Sequence, residues 1–154
     1  MPECRIFCMG RRDDRLVSEI EHYGRKIKPF ARLTVEYLRP PGGRRDGAAQ
    51  SLAREAAVFS RRLDASAPYF ALAEEGELCD SRQFATLLGK SLERNKTITF
   101  VIGGAYGLAQ SIKRDSVRCV SLSRLTFPHR VCVLLVAEQV YRAFTILRGL
   151  AYHK

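Results

Sequence analysis

The chain has no apolar run that approaches the roughly 20 residues needed to span a bilayer. Its start, Met1-Pro2-Glu3-Cys4-Arg5, lacks the long apolar stretch of a secretory signal. Both absences predict a cytoplasmic protein. No C-x-x-C pair is present either: the cysteines stand at 4, 8, 79, 119 and 132, and only three histidines, at 22, 129 and 153, could complete a zinc site. The expectation is no metal and reduced thiols, with Cys8, Cys119 and Cys132 lying in apolar runs as buried small hydrophobes do. Acid is scarce. Against 26 Lys and Arg stand 16 Asp and Glu, and between Thr99 and Lys154 the ratio is eight to two, with Asp115 and Glu138 the two acids. Such an excess implies a polyanionic partner, since clustered cations attract phosphate by charge and by counterion release.

What is present fits one domain over residues 1–154: at this length a chain buries roughly 70% of its unfolded surface and needs no disulfide or metal to hold a core. Apolar Arg5–Met9 reads as a strand ending at Gly10, with Asp13 and Asp14 in cap position before a polar helix over 15–28. Residues 32–38 alternate as a half-buried strand does and stop at Pro40-Pro41-Gly42-Gly43-Arg44-Arg45-Asp46-Gly47, a basic loop suited to an RNA backbone or to plain connection. Helical spacing follows over 48–63, then a buried strand over 69–73 and an acidic turn, Glu74-Glu75-Gly76-Glu77. Asp80 with Gln83 forms a capping-box pattern that opens a helix reaching about Glu93. The strand 97–102 runs straight into Gly103-Gly104-Ala105-Tyr106-Gly107; a short helix over 108–114, a strand over 116–123 and a helix from Pro128 to about Arg148 complete the chain, with Gly149 as left-handed terminator. Strands alternate with helices, so the class is α/β with a mostly parallel sheet flanked by helices. The stretch Val131–Ala137 is apolar on every side, which calls for cover from the sheet and from something more, a partner subunit being the economical choice.

A strand ending in Gly-Gly-x-x-Gly admits close approach of a ligand to backbone. The dinucleotide fingerprint is not met, no acid stands about 20 residues on to bind a ribose, and no Gly-Lys-Ser/Thr follows to cradle a triphosphate. What survives is a ligand held by backbone groups of several loops at the carboxyl ends of parallel strands: after Leu72, at Gly103-Gly104, and over Leu122 to Phe127.

Three ordered stretches then carry a resemblance. Phe100-Val101-Ile102-Gly103-Gly104-x-x-Gly107-Leu108, Ser121-Leu122-Ser123-x-Leu125-Thr126-Phe127-Pro128-His129, and Ala137-Glu138-Gln139-x-Tyr141-Arg142-Ala143-Phe144-x-Ile146 with terminal Tyr152-His153-Lys154 resemble the RlmH family of the SPOUT superfamily. The likeness runs nearly end to end and is strongest over the last 55 residues. It implies a methyltransferase that uses S-adenosylmethionine to methylate N3 of a pseudouridine in large-subunit (23S) ribosomal RNA, within the ribosome. It also implies a C-terminal deep trefoil knot and a homodimer. Matched by motif, the cofactor contacts fall on Leu72, Gly103, Leu122, Ser123, Arg124, Leu125, Thr126 and Phe127. The chain departs from the family pattern at Ala73, at Glu77 and at Ala105-Tyr106.

Methyl transfer from a sulfonium needs alignment above all, with a base or an anion stabiliser for the imide nitrogen. The candidates are His153 and Tyr152 for the base and Arg142 for the cation, while His129 at a helix start is expected neutral and structural. Glu138 and Arg142 form either an intrahelical pair or a polar stripe facing the ligand across a dimer. No RNP or KH module is present, so the RNA contacts are assigned to body arginines: Arg11, Arg12, Arg44, Arg45 and Arg130. The competing reading is an RNA-binding or ribosome-assembly factor that keeps the fold without the chemistry.

Overall fold

The computed structural model describes residues 1–40 and 47–154; the expected basic contacts at Arg44 and Arg45 lie outside the described residues. In chain order the elements are β1 (Glu3–Met9), a 3-10 turn (Asp14–Leu16), α1 (Val17–Ile27), β2 (Arg32–Leu38), α2 (Ala48–Arg62), β3 (Tyr69–Leu78), α3 (Ser81–Arg94), β4 (Thr97–Ile102), α4 (Gln110–Asp115), β5 (Arg118–Ser121) and α5 (His129–Leu147). The five strands form one sheet in the order β2-β1-β4-β3-β5, and every pairing is parallel.

Parallel strands need crossovers, and the helices that supply them cover both faces. The sequence shows the split with period two. Cys4, Ile6 and Cys8 of β1, Phe70 and Leu72 of β3, and Ile98, Phe100 and Ile102 of β4 point to one core, closed by α1, α3 and α5. Phe7, Met9, Ala71 and Val101 point the other way and pack with Phe59 of α2 and with Leu108 and Ile112 around α4. Burial on both sides explains why the central strand β4 and its neighbour β1 read as nearly continuous apolar runs, while edge strand β2 is only half-buried for most of its length. Phe100 is wholly buried and packs against the rings of Phe70 and Phe84. Truncating such a ring to alanine costs about 3–5 kcal/mol.

Local signals placed most boundaries. Asp13 accepts from the Arg15 amide at 3.0 Å and starts the 3-10 turn that leads into α1. Asp80 and Gln83 form the full reciprocal capping box, with both bonds at 2.8 Å. Gly149 closes α5 at φ +64. Pro128 caps α5 from outside, at ψ 136, instead of occupying its first helical position.

A further expectation is corrected. Glu74–Glu77 is no turn, because β3 runs on through Leu78. Leu72 and Glu77 both pair with Val120 of β5, so residues 73–76 bulge out of the ladder before pairing resumes. A turn-like composition was overridden by pairing with a strand that lies some 40 residues further along the chain.

Candidate active site

In a parallel sheet the carboxyl ends of all strands lie at one edge, and the loops that leave them meet there. Here the bulge after Leu72, the glycine loop after Ile102, the stretch 122–127 after β5 and the first turn of α5 enclose a cleft of about 730 Å3. That volume is in the range of small-molecule sites, roughly 300–1,000 Å3.

The glycine loop folds back on itself. Gly107, at φ +77, donates its amide to the Gly104 carbonyl at 3.0 Å. A Cβ on Gly103 would stand 2.2 Å from the Gly107 carbonyl oxygen, so only glycine fits there. The 122–127 stretch is tied to the β3 bulge. Arg124 donates to the carbonyls of Glu74 and, at 3.0 Å, of Gly76. Thr126 donates to the Glu74 carboxylate, the Ser121 hydroxyl lies 2.9 Å from the Glu74 carbonyl, and the Leu125 amide donates to Ser123 Oγ at 3.0 Å. Lys113 of α4 holds Glu75 at 2.5 Å, and Glu75 keeps its carboxyl below the usual range through that bond.

The residues expected at the cofactor mostly converge on this cleft: Leu72, Gly103, Leu122, Ser123, Leu125, Thr126 and Phe127 line it. Leu125 is 69% exposed and Tyr106 54%, which leaves two apolar side chains free to close on a ligand. Arg124 does not form part of the lining; its guanidinium points back into the bulge and fixes the loop from behind. Sequence reasoning did not place Glu74, Lys113, His129 or Cys132 at the site, yet all four line it. Of these only His129 carried a signal, the Pro128-His129 step at the close of a matched stretch.

His129 is half-buried, and burial followed by the nearby Arg130 charge holds its imidazole below the usual range, hence neutral near pH 7. Its Nε2 is buried without a hydrogen-bond partner among the described residues. Behind it, burial pushes the Cys8 thiol up to about 12, so that sulfur stays protonated and unreactive.

Arg142, Tyr152 and His153 do come together, but elsewhere. Glu138 on α5 accepts from Arg142 Nε and Nη2 at 3.0 and 2.6 Å and from the Tyr152 hydroxyl at 3.0 Å. The Arg142 guanidinium lies over the Tyr152 ring, 4.6 Å from its centroid, and its Nη1 is 3.2 Å from His153 Nδ1. Arginine only donates, so Nδ1 accepts and the ring's proton sits on Nε2. Burial, then the bond to Glu138, raises the Tyr152 hydroxyl well above its ordinary value, so it serves as a donor. Neither group is free to act as a base in this arrangement. Arg142 stands ten residues beyond Cys132 on the same helix, roughly 15 Å along its axis, so the cluster lies away from the cleft of its own chain.

An all-parallel α/β sheet with a looped, glycine-lined cleft at its carboxyl edge defines the class of the molecule, a ligand-binding α/β domain. The family described as predicted SPOUT methyltransferase matches residues 3–153, and the chain belongs to that family. The chain is 35% identical over 150 residues to a protein named ribosomal RNA large subunit methyltransferase H from Thermotoga neapolitana, covering 97% of each. It is 36% identical over 157 residues to a protein of the same name from Syntrophomonas wolfei, covering 97% of this chain and 98% of that one. A third, from Gemmatimonas aurantiaca, is 37% identical over 150 residues with 97% of each covered. Among solved structures, a probable methylase family protein from Haemophilus influenzae aligns with a TM-score of 0.57 at 14% identity, covering 99% of this chain and 70% of that one. A probable methyltransferase from Bordetella pertussis gives 0.53 at 16%, covering 92% and 94%. These two share the fold.

Membership makes S-adenosylmethionine the methyl donor. The cleft fits it: Leu72, Leu122 and Leu125 supply apolar walls for a base, and the glycine loop, which can fold back on itself only because Gly103 has no Cβ, offers backbone amides and carbonyls to its edge.

Proposed function

We propose that the protein methylates N3 of a pseudouridine in large-subunit ribosomal RNA, acting as a homodimer on the ribosome in the cytoplasm, with residues 1–154 forming one domain whose C-terminal part is threaded as a trefoil knot. The observation that carries this reading is the cleft itself, lined by the loops that the family likeness picks out, in a chain whose relatives are named for that RNA. No helix among the described residues is long and apolar enough to cross a membrane.

S-adenosylmethionine, when bound, supplies a methyl already activated on a sulfonium. The protein's part is to align the acceptor and to stabilise the charge that develops on it. Arg142 supplies a guanidinium fixed by Glu138, and His153 a hydrogen bond from Nε2; both act on the imide oxygens beside N3 and favour its anion. Tyr152 holds this pair in place through Glu138 and through its ring under Arg142. Tyr152 and His153 thus act as donors and positioners, and the N3 proton leaves to solvent.

A second copy supports the same reading. The first half of α5 leaves Val131, Cys132, Leu134 and Leu135 only half-covered in one chain, and the Arg142 cluster is distant from its own cleft. Packing of two copies through α5 covers those residues and carries the cluster of one chain to the cleft of the other.

The deciding experiment offers the protein S-adenosylmethionine with a labelled methyl and ribosomes lacking the modification, then identifies the labelled nucleoside by mass spectrometry. Label in N3-methylpseudouridine is expected. Ribosome binding without label overturns the catalytic reading in favour of an assembly factor. Coexpressing Gly103→Ala chains with Arg142→Ala chains tests the shared site: random pairing leaves about a quarter of the sites intact, whereas a site made within one chain gives none.

A further inference from the structure

A second depression opens on the same edge of the sheet, at the ends of β1 and β2. It encloses about 460 Å3 and is lined by Gly10, Arg11, Arg12, Tyr37 and Arg39. Its construction follows from the parallel pairing of the two strands. Met9 is paired with Leu38, and the Gly10 amide donates to the Leu38 carbonyl at 2.8 Å. Gly10 then takes φ +117, a conformation other residues rarely adopt, and the chain bends so that Arg11 and Arg12 stand beside Arg39.

The charge there is weakly compensated. Among the described residues Arg11 and Arg39 have no carboxylate at ion-pair distance, and both are exposed. Arg12 pairs with Asp14 at 3.0 Å, but the two side chains are 60% and 83% exposed, so solvent screens the pair and an incoming anion can exchange with it. Asp13 is taken by Arg15, and the Arg130 charge also reaches it. Three guanidiniums around a half-buried tyrosine form a surface for a phosphodiester: planar forks for two oxygens each, and a ring for the adjoining sugar or base.

Position gives the site its meaning. Gly10 lines the depression and His129 lines the cleft, and a Cβ on Gly10 would lie 2.7 Å from His129 Nε2. The two spaces therefore share one thin wall.

We propose that Arg11, Arg12 and Arg39 bind a backbone phosphate of the RNA strand next to the nucleotide presented to the cleft, with Tyr37 packed against that nucleotide's neighbour. This rests on the RNA methyltransferase reading and adds to it where the strand enters. The site holds register on the strand; it does not read sequence.

The test measures methyl transfer to unmodified ribosomes by the full protein over a series of salt concentrations, for wild type and for the double variant Arg11→Ala/Arg39→Ala. Expected are a KM for ribosomes raised at least tenfold, kcat and S-adenosylmethionine affinity retained, and a salt dependence shallower by about one power of salt for each phosphate contact removed. Arg11→Lys/Arg39→Lys should recover part of the KM, since charge returns without the fork. Lys90→Ala/Arg94→Ala removes the same charge from the end of α3, which feeds the opposite edge of the sheet, and should leave KM and salt slope near wild type. A wild-type KM in Arg11→Ala/Arg39→Ala overturns the site. So does an equal loss in the α3 variant, which would reduce the effect to net charge, or a raised KM with unchanged salt slope, which would mean a contact other than phosphate. Failure of the wild-type protein to methylate any ribosome overturns the parent reading instead.

Discussion

The two ends of α5 do different chemistry with different materials. At its first turn, His129 and Cys132 join three loops in a cleft that offers a ligand backbone groups, apolar walls and a glycine surface, with its one histidine kept neutral. Near its last turns, Glu138 and Arg142 join Tyr152 and His153 in a tight, side-chain-built ionic cluster. The first end offers apolar walls to a flat base and polar backbone to the rest of a cofactor; the second concentrates charge. Because one continuous helix separates them by roughly 15 Å, a single chain holds the cleft and the ionic cluster apart. The helix works as a spacer, and in the proposed dimer its half-covered apolar residues are where a second copy would close the gap.

The sharpest way to break the cleft alone is Gly103→Ala. Its Cβ would collide with backbone, and the strained loop should cost about 3 kcal/mol of binding, or roughly a 100-fold weaker affinity for S-adenosylmethionine, read by calorimetry. The distal cluster should show the opposite pattern. Arg142→Ala, or removal of Tyr152–Lys154, should lower kcat about 100-fold while affinity for S-adenosylmethionine stays within a factor of about three. Near-normal turnover in either variant would sink the catalytic role of that end.

Arg124→Ala probes the cleft more gently, since it removes charged bonds to two carbonyls without touching the walls. A loss of about 1.5 kcal/mol predicts roughly tenfold weaker cofactor affinity with kcat little changed. The smallest effect concerns pH. Burial holds His129 below its ordinary value, so the fold favours the neutral ring. The stability this gives is complete above the unfolded value of about 6.5 and is lost as pH falls below it toward the lowered folded value. Between pH 7 and 5 the wild-type Tm should therefore fall more steeply than that of His129→Gln in calorimetric scans, and equal slopes would rule out a titrating His129.

Much of the fold was legible from local pattern. The apolar runs of β1, β3 and β4, the alternation of β2, the Asp80-Gln83 box and Gly149 each work through neighbours a few residues away, and such signals survive in sequence. The bulge after Leu72 was not legible, because it is set by pairing with Val120. The candidate site divides in the same way. Gly103 carries a backbone requirement that residue type displays and the 122–127 stretch is marked by its place after a strand and by the family resemblance, whereas the inward turn of Arg124 depends on where the Glu74 and Gly76 carbonyls lie.

By itself the sequence determined the class of the sheet, the strands that feed the cleft and the basic balance. Each depends on residue type at short range: side-chain alternation, helix caps, glycine and charge. Only the tertiary structure decided that Arg142, Tyr152 and His153 meet about half the length of α5 from the cleft of their own chain, that His129 stands in its wall, and that Arg39 joins Arg11 and Arg12 across Gly10. Those relations join residues far apart in the chain, and parallel pairing through crossover helices is what brings them together or keeps them apart.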